Sequence, residues 1–394
     1  RHHRRNGGAG MSDGTKIEWT NATWNPVTGC TPVSEGCRNC YAAELAVGRL
    51  QHHPSRAGLA RRNAEGVAKF TGEVRFNEGW LDQPLRWTKP RMIFVVAHGD
   101  LFHEDVPDAW IDRVFAVMAL CPQHVFQVLT KRPERMRNYL IKLLGSTEAP
   151  RGIFCQPWNA LLNRAERLWM QANPDYLVAI KPKLLAALYV REYPLPRGPL
   201  PNVWLGVSVE DQATAHVRIP LLLDTPAAKR WISAEPLLGP VTLPRVDFHC
   251  DLCGGTGLLA RWPKGKCHHC SGKGHIPAIS TDPKFGTPST PMRSIDWVVV
   301  GGENSRLARP MHPDWVRDLR DQCAAAGVPF FFKQWGAWSP HTAEVENAAG
   351  EIETTPKGGV NWYSWDGGVS GSFRVGKKAA GHLLDGVEHR EFPA

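Results

Sequence analysis

Short apolar runs rich in β-branched and aromatic residues recur along this chain, and nearly all turn polar at their carboxyl end before a segment with helical spacing. This pattern constrains the fold most, because runs that are apolar throughout suit strands covered on both faces, and alternation with helices is how parallel strands are connected. The runs are MIFVVAHGD from Met92, HVFQVLTKRP from His124, VWLGVSVED from Val203, RWISAEPLLG from Arg230, DWVVVGGE from Asp296 and VPFFFKQWG from Val328. One helix is expected from near Pro107, with Trp110, Val114, Phe115 and Met118 at helical spacing, and another from Glu134. HPDWVRDLRDQCAAAG is expected to be helical and to close on its glycine. With the segment that leads into Cys30 there are six or seven units, so the expected class is α/β, a partial or complete parallel (β/α) barrel.

The strand ends carry the functional expectation. They place His98 and Asp100, Thr130 and Lys131, Ser208 and Glu210, Ser233 and Glu235, Gly302 and Glu303, and Lys333 and Gln334 immediately after successive strands. Any one such residue is explained by a strand reaching solvent; six in series suggest a common rim, since strand ends of a parallel barrel converge on one mouth. Acids, hydroxyls and a lysine there suit a zwitterionic, ribose-bearing ligand.

Seven of the ten cysteines form two groups. Cys30, Cys37 and Cys40, spaced x6 then x2, can hold a metal centre with one position left open, or a structural zinc whose fourth ligand lies elsewhere. Cys250-x2-Cys253 and Cys267-x2-Cys270, thirteen residues apart, have four-cysteine zinc spacing, and their glycines suit knuckles folded tightly around sulfur. The two halves resemble the CxxCxGxG repeats of the DnaJ zinc region. Such grouping suits a reducing compartment, and Cys121, Cys155 and Cys323 are expected to be buried small hydrophobes.

The net charge of +9 suits a polyanionic partner, although Arg1, Arg4 and Arg5 of this excess precede Met11. Residues 49–69 carry Arg49, Arg56, Arg61, Arg62 and Lys69 against Glu65, and a second basic cluster runs from Lys131 to Arg137; each reads either as a solvated helix face or as a phosphate groove. No apolar run approaches the roughly 18 to 20 residues that span a bilayer, and the expected location is cytoplasmic with no membrane partner. The expected domains are a leader over 1–14, a barrel over 15–243 with a helical insertion at about 144–200, a zinc insertion over 244–292, the rest of the barrel over 293–340, and an appendage over 341–394. Of the sixteen tryptophans, Trp335 and Trp338 are those expected to line a pocket. The zinc insertion carries Arg245, Arg261, Lys264, Lys266 and Lys273 with several histidines and Trp262, surfaces usable on bases.

A tri-cysteine loop followed by β-α units and a glycine-acid strand end resembles the radical S-adenosylmethionine (SAM) superfamily. More closely, KIEWTNATWNPVTGC, HGDLFHED, LTKRPERM, GVSVED, ISAEPLLG, VVVGGENSRLARPMHPDWVRDLRDQC and VPFFFKQWG resemble a family of phage and prophage three-cysteine-motif proteins, itself distantly similar to spore photoproduct lyase. The resemblance covers most of residues 15–340, and the cysteine spacing differs from the superfamily's usual x3 then x2. It implies a [4Fe-4S] cluster on Cys30, Cys37 and Cys40, with SAM on the fourth iron. It further implies Gly99 and Asp100 at the SAM amino group, Ser208 or Glu210 at the ribose and Tyr41 near adenine. Thr130, Lys131, Ser233 and Glu235 would complete the cofactor rim, and Glu303, Lys333, Gln334 and Trp335 the substrate side. The chemistry implied is reductive cleavage of SAM to a 5′-deoxyadenosyl radical that abstracts hydrogen from substrate, with electrons from a flavodoxin or ferredoxin. Three readings stand: a radical-SAM enzyme that modifies or repairs a base in DNA or RNA, a zinc-containing nucleic-acid-binding protein without catalysis, and a radical-SAM enzyme on a peptide or small metabolite.

Overall fold

The computed structural model describes residues 15–145, 157–172, 198–243, 295–342, 362–365 and 370–394, together with two-residue strands at 248–249, 258–259, 265–266, 275–276, 345–346 and 352–353. The expected leader lies outside the described residues, as do most of the helical and zinc insertions and part of the appendage.

Seven strands form one sheet: β1 (Ala22–Trp24), β2 (Met92–Val95), β3 (Val125–Thr130), β4 (Val203–Ser208), β5 (Lys229–Ala234), β6 (Trp297–Gly301) and β7 (Phe330–Gln334). Their spatial order is their chain order. β1–β2, β2–β3, β5–β6 and β6–β7 pair in parallel, so the α/β class with a parallel sheet is observed. The longer described helices between them are α1 (Tyr41–Val47), α2 (Asp108–Ala119), α3 (Pro133–Gly145), α4 (Pro157–Ala172), α5 (Gln212–Asp224) and α6 (Pro313–Ala326).

The chain divides into two compact units. The first (1–33, 42–205 and 225–228) carries β1 to β3 and the start of β4. There α2 is buried continuously from Ile111 to Ala119, the condition of a helix covered all round, and Phe115 stacks on Trp158 of α4 at 6.2 Å. The second (34–41, 206–224 and 229–394) carries the end of β4 and β5 to β7. β6 is buried along its whole length, and its Trp297 packs at 5.5 Å from Trp231, its partner on β5. Fully burying one such aliphatic or aromatic side chain is worth roughly 1.5–3 kcal/mol, so these apolar runs set the sheet in place. Helix α6 stops at Gly327 (φ 67°) as expected, and at its start His312 accepts from Asp314 N at 3.1 Å while Pro313 occupies the first turn.

The outer edge of β7 is covered by the chain's last residues. Phe332 N donates to His389 O (3.0 Å), Glu391 N to Phe330 O (3.3 Å), and Phe331 faces Arg390 in an antiparallel bridge. Trp297 Nε1 donates to Glu391 O (2.8 Å), while Phe392 packs on Trp297 and Phe331.

Residues 49–69 do not form the helix face that one reading of their charge suggests. Turns lead into an antiparallel hairpin of Ala60–Arg62 with Ala68–Phe70, because Asn63 Oδ1 captures the N–H groups of Glu65 and Val67 (3.2 and 2.8 Å) and fixes the bend. Among the described residues no helix is long and apolar enough to cross a membrane.

Candidate functional site

In the first unit the backbone of the cysteine loop runs against the end of β2. Gly29 N donates to His98 O (3.1 Å), and Gly29 and Gly99 form a parallel bridge. A Cβ on residue 99 would stand 2.8 Å from Gly29 O, so glycine there permits the close approach. Immediately beyond lies Cys30, whose Sγ accepts from Arg132 Nη1 at 3.5 Å.

Arg132 organises this corner. It follows β3, its side chain is about nine-tenths buried, and it donates also to Asp100 Oδ2 (3.2 Å), Glu104 Oε2 (2.6 Å) and Thr31 Oγ1 (2.5 Å). Burial alone would lower its pKa, but Glu104, Asp100 and Cys30 hold it above the ordinary arginine value. The same bond holds the Glu104 carboxyl down at about 2. His103 is fully buried, accepts from Asp105 N at Nδ1 (3.1 Å) and so presents Nε2–H to Thr31 Oγ1 (3.0 Å); burial and then Arg132 push it down, keeping the ring neutral. A guanidinium beside a sulfur favours its thiolate, the form that binds metals. Sequence reasoning named Thr130 and Lys131 and counted Arg132 only as part of a basic cluster; its signal was a place at a strand end, one residue before the helix that begins at Pro133.

Asp100 does not stand free at a rim. It is 4% exposed and accepts from Phe102 N (2.9 Å), Thr130 Oγ1 (2.7 Å), Lys131 N (3.1 Å) and Arg132, so its lone pairs are taken by the protein. Thr130 is buried by that bond. On the other side of Gly99, Arg56 Nε and Nη2 lie 3.2 and 2.5 Å from His98 Nδ1. Burial first, then Arg56 and Arg49, push His98 down to about 3. Its folded value is therefore below the unfolded one near 6.5, so its contribution to stability is complete above that value and is lost as pH falls toward 3. The urea midpoint is expected to fall between about pH 7.5 and 5 and to fall less in His98→Gln; equal slopes in the two proteins would show that His98 has no part in it.

The second unit holds Cys37 and Cys40, both half-buried thiols on the segment 34–41. Cys37 ends a single 3-10 turn over Glu35–Cys37, and Cys40 directly precedes α1. Asn39, between them, donates to Glu303 Oε2 (2.9 Å) and Leu307 O (2.8 Å).

The remaining strand ends of this unit divide. Glu210 is 1% exposed and bonded by Arg218 Nη1 at 2.9 and 3.1 Å; the same nitrogen bonds Ser208 O at 2.8 Å. Ser208 and Ser233 are buried, Val209 N donating to Ser233 O (2.9 Å). Gln334 is buried and donates to Gly302 O (3.2 Å). Trp335, expected at a pocket, is 5% exposed, packs at 4.9 Å on Phe332 and donates to Leu383 O (2.9 Å), which makes it core. Trp338 is half-buried and donates to Ala308 O at 2.6 Å. Lys333 and Glu235 remain partly exposed as an ion pair at 2.5 Å, and Tyr41 is 51% exposed.

The donor set of Cys30, Cys37 and Cys40 fits a thiolate-bound metal in its chemistry: each sulfur is a thiol, and one has a cation against it. Among the described residues no three His, Cys, Asp or Glu side chains converge as a ready-made ligand set. Of the residues expected at SAM, Asp100 and Glu210 have carboxylates that already accept donors from the protein. Cys250, Cys253, Cys267 and Cys270 lie outside the described residues; beside them Phe248–His249 pairs with His275–Ile276 and Leu258–Leu259 with Gly265–Lys266. No curated protein and no solved structure matches the chain, while the pattern of one family, described as "Protein of unknown function (DUF5131)", matches residues 14–393.

Proposed function

We propose that this chain, which belongs to the DUF5131 family, is a radical-SAM enzyme that acts on a nucleic-acid base in the cytoplasm. In this reading its sheet is the partial barrel of that superfamily, and Cys30, Cys37 and Cys40 hold a [4Fe-4S] cluster. The observation that carries the reading is the buried Arg132, donating to the sulfur of Cys30 beside the end of β2. A structural thiol in an apolar site has no use for a guanidinium; a ligand that must remain a thiolate does.

When bound, the cluster and SAM supply one-electron chemistry beginning with a 5′-deoxyadenosyl radical. The chain's own residues have preparatory parts. Asp100 and Glu104 orient Arg132, Arg132 sets a cation against the Cys30 sulfur, and Lys333 and Glu235 form a partly exposed ion pair at the ends of their strands. Cys250, Cys253, Cys267 and Cys270 would hold a structural zinc, and a flavodoxin or ferredoxin would deliver electrons.

Support for a nucleic-acid partner comes from the hairpin. Arg61 lies directly opposite Lys69, which sets two cations side by side on one face of the hairpin, an arrangement suited to a phosphate backbone. Arg62, on the other face, is bound to Glu44 through both terminal nitrogens (3.0 and 2.9 Å), which ties the hairpin to α1.

Iron, sulfide and zinc analysis of anaerobically purified protein, followed by a search for 5′-deoxyadenosine on reduction with SAM, tests the enzyme. About four irons and matching sulfide are expected; zinc alone, with no SAM cleavage, would mean a binding protein. The partner is tested by DNA affinity across a salt series. Arg61→Glu with Lys69→Glu is expected to reduce the log–log slope by about 2, because each of the two cations releases about one counterion when it neutralises a phosphate. An unchanged slope removes the hairpin from the interface.

A further inference from the structure

We propose that Glu303 is a positioning residue: with Arg309 and Glu210 it clamps the Cys37–Cys40 segment in shape before any metal arrives. The inference rests on the reading of Cys37 and Cys40 as ligands and assigns the strand-end carboxylates of the second unit to the loop that bears them, in place of the substrate-side role expected of Glu303.

The segment has little regular structure of its own. Its only regular element is one 3-10 turn with no buried residue, joined by Cys37 N to Ser34 O (2.9 Å) and Arg38 N to Glu35 O (3.0 Å). Fixing each such residue costs roughly 1–2 kcal/mol of backbone entropy, which a free loop would have to meet at the moment of metal binding. Three contacts meet it in advance. Asn39, between Cys37 and Cys40 in the chain, is held by Glu303 Oε2 (2.9 Å). Arg309 Nη2 reaches back to Glu35 O (2.9 Å) at the start of the turn. Gly36 lies against the Glu210 carboxylate so closely that a Cβ would meet its side-chain atoms at 2.4–2.6 Å.

The clamp is itself rigid. Glu303 is 7% exposed and accepts, besides Asn39, Arg309 N (2.8 Å), Arg309 Nε (3.1 Å) and Arg309 Nη2 (2.5 Å). Three of these four donors converge on Oε2, the oxygen that holds Asn39, as suits a carboxylate that anchors a loop. Glu210 is fixed in turn by Arg218. These groups touch the segment beside the sulfurs, in the way that outer residues orient the ligands of a metal site.

The test uses full-length, metal-free, reduced protein and measures the alkylation rate of each cysteine by N-ethylmaleimide with peptide mass analysis. Asn39→Ala, and separately Glu303→Gln, are expected to raise the rates at Cys37 and Cys40 roughly tenfold, the equivalent of one charge-assisted hydrogen bond. The rate at Cys30 should not change. Unchanged rates at Cys37 and Cys40 in both variants overturn the clamp. So does an equal acceleration at all three cysteines, which would mean that Glu303 merely supports the fold. Because no metal is present, the outcome is separate from the iron analysis: the clamp can fail while the cluster stands, and the reverse.

Discussion

Cys37→Ala should yield a folded, colourless protein that no longer cleaves SAM, while zinc at Cys250, Cys253, Cys267 and Cys270 stays in place. The loss is all-or-none because a cubane bound by three thiolates and exchanging small molecules at its fourth iron has no ligand to spare. The fold should survive because the turn that carries Cys37 buries no residue, and truncating a half-buried thiol removes little packing. Visible absorption, iron content and 5′-deoxyadenosine report the loss; zinc content and circular dichroism report what remains. SAM cleavage that persists in this variant would dispose of the catalytic assignment altogether.

The second large effect is on stability. Arg218→Ala is expected to cost about 3–5 kcal/mol, because it strands the Glu210 carboxylate, 1% exposed, without its cation and deprives Ser208 O of its donor. Replacing both partners by groups of similar shape, Glu210→Gln with Arg218→Met, should recover most of that loss, since no buried charge remains unmatched. Urea unfolding with the slope monitored separates the two cases. A single variant that loses less than about 1 kcal/mol would mean that the pair is solvated and of surface type.

The sheet was legible because its strands are apolar on both faces. Val203–Ser208 and Trp297–Gly301 are buried from end to end, a condition that permits few residue types and so leaves its mark in the sequence. Helix α6 was legible at its carboxyl end through Gly327, whereas its His312 cap appears only in the structure. The site was legible only as positions. Sequence tells which residues follow a strand, and Asp100, Glu210 and Glu303 do follow strands; it does not tell which donors face them. Asn39 and Glu303 are 264 residues apart, and Cys30 and Arg132 are 102 apart, so no local rule links them. The hairpin at residues 60–70 was missed for a different reason. Its charge pattern fits a helix equally well, and the side-chain turn made by Asn63 is what decides between them.

The antiparallel run of residues 389–391 beside β7 has a consequence for how such a chain can be handled and how it can evolve. A flat β margin with vacant amides is a template on which other molecules can stack. Here the polypeptide supplies its own terminal selvedge, sealed by the Phe392 ring, so this border offers nothing for a stray strand to join. Insertions and fusions are thereby better tolerated at the tip of the 60–70 hairpin than next to this hem, where every added residue must either continue the seam or unpick it.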